Sequence, residues 1–284
     1  MSTAVAGTVR EALSATTDAL AAAGVDTPRL DAEVLLAEAT GMSRASLQAN
    51  GDEGVKAGDA RTFGEMVRRR VRREPVAYVV GHKGFRKIEL AVDPRVLIPR
   101  PETELLVEVA LEARPATVLD VGTGSGAIAL AIADELQSVR ATGVDVSPGA
   151  IEIAQANAAR LGLSDRVNFA VVAPYMDDIH KERQLPGEWD FVVANLPYVT
   201  EAEYATLAPE ITRYEPREAL VGGPDGLEVI RDLLSSLPHC RQLALEVGHT
   251  QARDVERLVQ RAGFHTTERR PDLAGVERVV VGRR

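Results

Sequence analysis

Val118-Leu119-Asp120-Val121-Gly122-Thr123-Gly124-Ser125-Gly126 reads as a buried strand that turns through three glycines into a helix beginning near Ala127. Glycines at such a turn let the backbone reverse sharply and let a ligand approach without Cβ collisions. The free N–H groups at the start of the helix then face a polar ligand. About 20 residues on, at the end of the next strand, Asp145 supplies a carboxylate that can accept from both hydroxyls of a ribose. Outward from this stretch, apolar runs at 117–121, 141–145, 167–172, 190–194 and 242–247 are strand candidates. Helical patterns lie between them, one opened by Ser147-Pro148 and closed near Gly162. Such alternation predicts an α/β fold with a parallel, doubly wound sheet. Residues 276–281, after Gly275, read as a closing strand.

The glycine turn alone leaves the cofactor open. Gly122, Gly124 and Ala127 satisfy the relaxed dinucleotide fingerprint, so NAD fits. The run Gly122, Gly124, Gly126, with Asp120 closing the strand, suits S-adenosylmethionine equally well. A second constellation discriminates. Phe191-Val192-Val193-Ala194 ends in Asn195-Leu196-Pro197-Tyr198, and groups at the carboxyl end of such a strand line the ligand crevice. Asn195 offers an amide oxygen, and residue 196 offers a carbonyl whose direction Pro197 restricts. Two acceptors held close together grip the two N–H bonds of a planar amino group, and Tyr198 can pack against its flat face. Hydride transfer has no use for such a holder, whereas methyl transfer to nitrogen does.

The remaining sequence narrows the classes. With 284 residues, two domains or one large unit with an appendage are expected. A net charge of −9 and only 4% aromatic residues disfavour a grip on duplex nucleic acid or a base-stacking platform. Cys240 is the sole cysteine, which excludes an intramolecular disulfide and a cysteine-based zinc site. None of His82, His180, His239, His249 or His265 stands in a metal-ligand or triad spacing, and no metal is expected. The first 24 residues lack a signal-peptide core and no long apolar run follows, so a cytoplasmic protein without membrane contact is expected.

Residues 6–73 read as helical throughout, with Leu30, Val34, Leu35 and Ala39 on one inward face and Phe63, Met66, Val67 and Val71 on another. Thr27-Pro28 reads as an N-cap with proline at the first helical position. Arg68, Arg69, Arg70, Arg72 and Arg73 read as a solvated outer face, the alternative being a docking patch for RNA or an acidic partner. Glu74-Pro75 ends the helices, and 76–98 reads as β-prone stretches forming a hairpin connector. The expected organisation is a helical bundle at 1–74, a connector at 75–98 and a catalytic domain at 99–284.

In these residues the chain resembles the N5-glutamine methyltransferases of peptide chain release factors, the HemK/PrmC family. The resemblance runs through Glu74-Pro75-Val76-Ala77-Tyr78, the stretch Pro99-Arg100-Pro101-Glu102-Thr103-Glu104, the glycine turn, residues 195–198, Tyr214-Glu215-Pro216 and Leu245-Glu246-Val247-Gly248. It implies a class I S-adenosylmethionine-dependent methyltransferase, Rossmann-like, with an antiparallel last strand and an N-terminal bundle that docks the substrate. It implies that Gly122, Thr123, Gly124, Ser125 and Gly126 line the methionine part of the cofactor, with Asp145 on the ribose and Pro174 and Asn195 also at the cofactor. Asn195, Leu196, Pro197 and Tyr198 would hold the glutamine of the Gly-Gly-Gln loop of class-1 release factors, with no direct nucleic-acid contact. Two positions depart from the family pattern. Leucine replaces a proline at 196, and Ala173-Pro174-Tyr175 follows the third strand where an acidic residue usually contacts the adenine. The second change removes one charge-assisted hydrogen bond, worth about 1.5–3 kcal/mol, unless Asp177 or Asp178 supplies it. The alternatives are an adenine-N6 nucleic-acid methyltransferase, which can share Asn-Leu-Pro-Tyr, and a diverged member with weak or no turnover.

Overall fold

The structure is a computed structural model, and it describes residues 5–172 and 188–284. The chain divides into two compact units, one of Met1–Gly81 with Ala208–Tyr214 and one of His82–Leu207 with Glu215–Arg284.

The larger unit is built on a seven-stranded sheet. Its strands are β5 (Thr117–Val121), β6 (Arg140–Asp145), β7 (Val167–Val171), β8 (Glu188–Ala194), β9 (His239–Glu246), β10 (Thr266–Pro271) and β11 (Glu277–Arg283). Their order is β10-β11-β9-β8-β5-β6-β7. Strands β5 to β9 run parallel, and β11 is antiparallel to both β9 and β10. Neighbouring residues on a strand enter opposite cores, as the two-residue period requires. Val118, Phe191, Val193 and Ala244 pack with the helices Glu104–Ala113 and Ala127–Glu135. Leu119, Val192, Leu243 and Leu245 pack with Glu228–Ser235 and Ala252–Arg261. Helix Pro148–Leu161 forms as read: Ser147 Oγ accepts from Ala150 N–H, Pro148 fills the first position, and Gly162 ends it in the left-handed conformation. The charged strand β10 escaped the sequence reading. It has no apolar alternation, because Arg269 pairs with Glu256 and Glu277 and Arg270 with Glu112.

A hairpin of β3 (His82–Phe85) and β4 (Ile88–Ala91) also belongs to this unit. Asn157, fully buried, bonds both backbone groups of Ala91 and donates to the Ser125 carbonyl at 2.9 Å, so the hairpin braces the glycine turn.

The smaller unit corrects several expectations. It is not helical throughout: β1 (Val5–Thr8) pairs antiparallel with β2 (Gly54–Lys56). Conversely, Val76–Val80, expected to be β-prone, is a short helix closed by Gly81 at φ +84°. In helix Pro28–Thr40 the buried apolar residues are Ala32, Leu35 and Leu36, while Leu30 is exposed. Thr27 makes no side-chain cap; its hydroxyl donates to Asp31 at 2.8 Å.

The arginine run is a solvated face only in part: Arg68, Arg69 and Arg72 are exposed, whereas Arg70 is buried and Arg73 half-buried. Arg70 takes the inward place expected for Val71, which is 39% exposed. Its guanidinium donates to Asp31 at 2.7 Å and to Glu210 at 2.8 Å. Arg73 donates to both oxygens of Glu210 and to the carbonyls of Ala23 and Gly24. Arg69 holds Glu74 and the carbonyls of Tyr78 and Val79. Buried acids in one segment thus call for arginines in another, and a one-dimensional charge pattern cannot show that pairing.

Removing one partner of a buried pair leaves the other charge uncompensated, at about 3–5 kcal/mol. Arg70→Ala is therefore expected to lower unfolding free energy by that amount in urea titration. Arg68→Ala, at an exposed position, should stay within about 0.5 kcal/mol. Similar unfolding midpoints for the two variants would contradict the clamp.

Candidate active site

Three successive N–H groups of the glycine turn are drawn to the end of β6. Gly122 and Thr123 both donate to the Val144 carbonyl, at 2.9 and 3.0 Å, and Gly124 donates to Asp145 Oδ2 at 2.9 Å. Gly122, Gly124 and Gly126 have φ of +72°, +54° and +81°, a region that residues with a Cβ enter only under strain. A Cβ on Gly124 would meet nothing within 4 Å, whereas one on Gly126 would fall 2.9 Å from Leu130 and Phe169. Gly124 therefore opens to a ligand, and Gly126 permits close helix packing. Asp120 staples the turn from below: its buried Oδ2 accepts from Thr123 Oγ1 at 2.7 Å and from Ala129 N–H at 3.2 Å. Burial raises its pKa to about 7, and its Oδ1 has no partner among the described residues.

Beside this turn lies a cavity of about 370 Å³ lined by Gly122, Gly124, Asp145, Val146, Asn195 and Leu196, with Pro216 and Ala219 among the residues opposite. Its volume lies in the range of small-ligand sites. Asp145 stands where a ribose-binding carboxylate is expected. Its Oδ1 accepts from Ser147 N–H and its Oδ2 from Gly124 N–H, which fixes the carboxylate plane. Burial raises the Asp145 pKa and the backbone N–H groups lower it, burial prevailing.

The parallel register of β5 and β8 pairs Val121 with Ala194, which brings Asn195 beside Gly122. Asn195 Nδ2 donates to Thr103 Oγ1 at 3.0 Å, and among the described residues no donor reaches its Oδ1. Leu196 is buried, with Cδ2 lying 3.1 Å from where a Cβ on Gly122 would stand. The leucine thus packs over the glycine turn and into the apolar core below it. The backbone around Pro197 and Tyr198 is held from outside. A Cβ on Gly222 would fall 2.3 Å from the Pro197 carbonyl and one on Gly226 2.2 Å from that of Tyr198, while Gln251 donates to the Tyr198 carbonyl at 3.0 Å.

Gly122, Gly124, Asp145, Asn195, Leu196 and Pro197 therefore meet at one cavity. Thr123 and Ser125 are buried in the support of the turn, and Gly126 faces the helix core. Tyr198 faces a neighbouring cavity, its hydroxyl donating to Glu246 at 3.2 Å. Pro174, with Ala173, Tyr175, Asp177 and Asp178, lies outside the described residues. Sequence reasoning missed Thr103, Gly222 and Gln251 as supports, and no local signal marks them. Among the described residues no cluster of His, Cys, Asp and Glu could hold a metal, and no helix is long and apolar enough to cross a membrane.

Comparison with known proteins bears on this geometry. Residues 11–81 match the family model of the PrmC N-terminal domain, and 118–214 match that of a methyltransferase domain. The release factor glutamine methyltransferase of Rhodopirellula baltica is 40% identical over 286 residues, covering 96% of this chain and 95% of that protein. That of Mycolicibacterium smegmatis is 41% identical over 285 residues, covering 97% and 98%. Among solved structures, the hMettl16 catalytic domain in complex with the MAT2A 3'UTR hairpin 1 aligns with a TM-score of 0.55 at 14% identity, covering 82% of this chain and 83% of that one, a likeness of fold alone. Sequence identity near two-fifths along almost the whole length establishes that this chain belongs to the release factor glutamine methyltransferase family.

Proposed function

We propose that this chain transfers a methyl group from S-adenosylmethionine to the side-chain amide nitrogen of the glutamine in the Gly-Gly-Gln motif of class-1 release factors. One observation carries the reading. Asn195 is anchored through its Nδ2, so its Oδ1 is left as an acceptor at the cavity that Gly124 and Asp145 also line.

The residues present fit the cofactor. Gly124 leaves open space for a group pressed against the turn, and Asp145 presents a carboxylate, held in plane by its backbone donors, to accept from ribose hydroxyls. When bound, S-adenosylmethionine supplies a methyl group activated by a positive sulfonium. The chain's own residues act on the nitrogen. An amide nitrogen is a poor nucleophile because its lone pair is delocalised into the carbonyl. As a bond forms to it, the nitrogen becomes positive and its hydrogens more acidic. Asn195 Oδ1 and the Leu196 carbonyl, as acceptors, bind that state more strongly than the ground state. Acceptors fixed to the end of a strand need little reorganisation, and alignment contributes the rest. Leucine at 196 leaves the carbonyl in place, and burial of its side chain supplies part of the rigidity that a proline ring would give.

Docking of the release factor is assigned to the N-terminal unit, where Arg68 and Arg72 are exposed and Arg69, also exposed, is engaged by Glu74. The double change Arg68→Glu and Arg72→Glu is expected to raise KM for the release factor and leave cofactor affinity unchanged; equal loss of both would count against docking there.

Incubation with cofactor and release factor, followed by peptide mass spectrometry, is expected to show one added methyl on the Gly-Gly-Gln glutamine. Asn195→Ala should lower the rate by about 10²-fold or more. Asp145→Ala should weaken cofactor binding in calorimetry by about 10- to 100-fold, matching the loss of charge-assisted hydrogen bonds. Methyl transfer to RNA and not to the release factor, or an Asn195→Ala enzyme of undiminished rate, would overturn the reading.

A further inference from the structure

The cavity beside the glycine turn has one apolar wall. Val121, Val144, Val172, Val229 and Leu233 line it and belong to a single hydrophobic cluster on one face of the sheet. Val146, next to Asp145, is 52% exposed and adds apolar surface to the same cavity. A flat, weakly polar ring suits such a wall, because covering it removes apolar surface from water.

One side chain there breaks the pattern. Helix Glu228–Ser235 brings Val229, Asp232 and Leu233 to the cavity, three and four residues apart as one helix face requires. Asp232 thus stands among apolar neighbours. Among the described residues its carboxylate has no hydrogen bond or ion pair; only its backbone carbonyl is engaged, by Ser235 and Ser236. Other charges at the cavity are already committed. Asp145 accepts from the Ser147 and Gly124 N–H groups, and the Arg95 guanidinium is taken up by Asp93 and Glu152. Glu218 has no side-chain partner among the described residues either, but it belongs to the 3₁₀ turn Arg217–Ala219 and not to the apolar wall.

We propose that Asp232 accepts a hydrogen bond from the exocyclic amino group of the cofactor's adenine and so sets the preference for that base. The inference rests on the cavity holding S-adenosylmethionine with its ribose at Asp145. In that molecule the ribose separates the sulfonium from the base. With the reacting methyl group at Asn195, the base falls on the other side of Asp145. There Val172 continues the wall, its N–H donating to the Asp145 carbonyl at 2.9 Å. Adenine carries ring nitrogens that accept and one group that donates, the exocyclic amine. An N–H covered by an apolar wall and left unpaired costs free energy, and Asp232 is the acceptor that this wall supplies.

The test is calorimetric titration with S-adenosylhomocysteine and with its analogue in which hydrogen replaces the exocyclic amino group. Wild type is expected to bind the amino form about 10-fold or more tightly, the yield of one charge-assisted hydrogen bond. Asp232→Ala should weaken S-adenosylhomocysteine by that factor, spare the analogue, and bring the two ligands within about 2-fold of each other. Asp232→Asn, whose amide oxygen still accepts, should keep an intermediate preference. Asp232 is exposed, so its variants are expected to fold. Glu218→Gln should keep the wild-type ratio. Equal affinity of wild type for both ligands, an undiminished ratio in Asp232→Ala, or loss of the ratio in Glu218→Gln would each overturn the proposal. Asp145→Ala separates the two levels. If it weakens both ligands alike while Asp232→Ala changes neither, only the contact to the base fails. If it weakens neither, the reading of the cavity fails.

Discussion

Two backbone N–H groups, those of Gly122 and Thr123, converge on one carbonyl at the end of β6, and a third, from Gly124, reaches the Asp145 carboxylate beside it. This convergence welds the turn after β5 to the end of the neighbouring strand. The part of the cavity wall formed by Gly122 and Gly124 is consequently backbone alone. It also fixes Asp145 from two directions, so that carboxylate and the glycine turn form one rigid piece. The parallel pairing of β5 with β8 then sets Asn195 beside that piece without any further device. Everything else at the site is support for these three strand ends.

That support is drawn from distant parts of the chain. Asn157 ties the β3–β4 hairpin to the carbonyl of Ser125. Gly222 and Gly226 let one loop lie directly against the backbone of Pro197 and Tyr198. Glu215 accepts from the Ile98 N–H and pairs with Arg100, which fixes the approach to Pro101–Thr103, the short 3₁₀ turn that carries the hydroxyl behind Asn195. A holder for a planar amide needs acceptors that do not relax, and a buried, cross-braced polar network provides that stiffness.

How far the sequence was legible follows from the range of the forces involved. The parallel strands could be read because each is buried on both faces and so is apolar without interruption. The glycine turn, Asp145 and Asn195 could be read because each is a local motif at the end of such a strand. Charge defeated the reading elsewhere. Arg70 and Asp31 are buried against one another with Glu210 half-buried beside them, yet each alone looks like a surface residue. Strand β10 is held by arginine–glutamate pairs in place of an apolar stripe. Thr103 and Glu246 were quoted only as parts of longer motifs, since their contact with Asn195 and Tyr198 appears only after the sheet has formed. The place of Pro174 at the cofactor stays an expectation of the sequence alone.

The central claim is that the Asn195 amide oxygen and the Leu196 carbonyl together hold the nitrogen to be methylated. A crystal structure of the protein with S-adenosylhomocysteine and a Gly-Gly-Gln peptide tests it most directly. The account predicts the glutamine side-chain nitrogen within hydrogen-bonding distance, about 3 Å, of both oxygens. A glutamine amide bound elsewhere, or one meeting Asn195 through the asparagine's nitrogen, would contradict it.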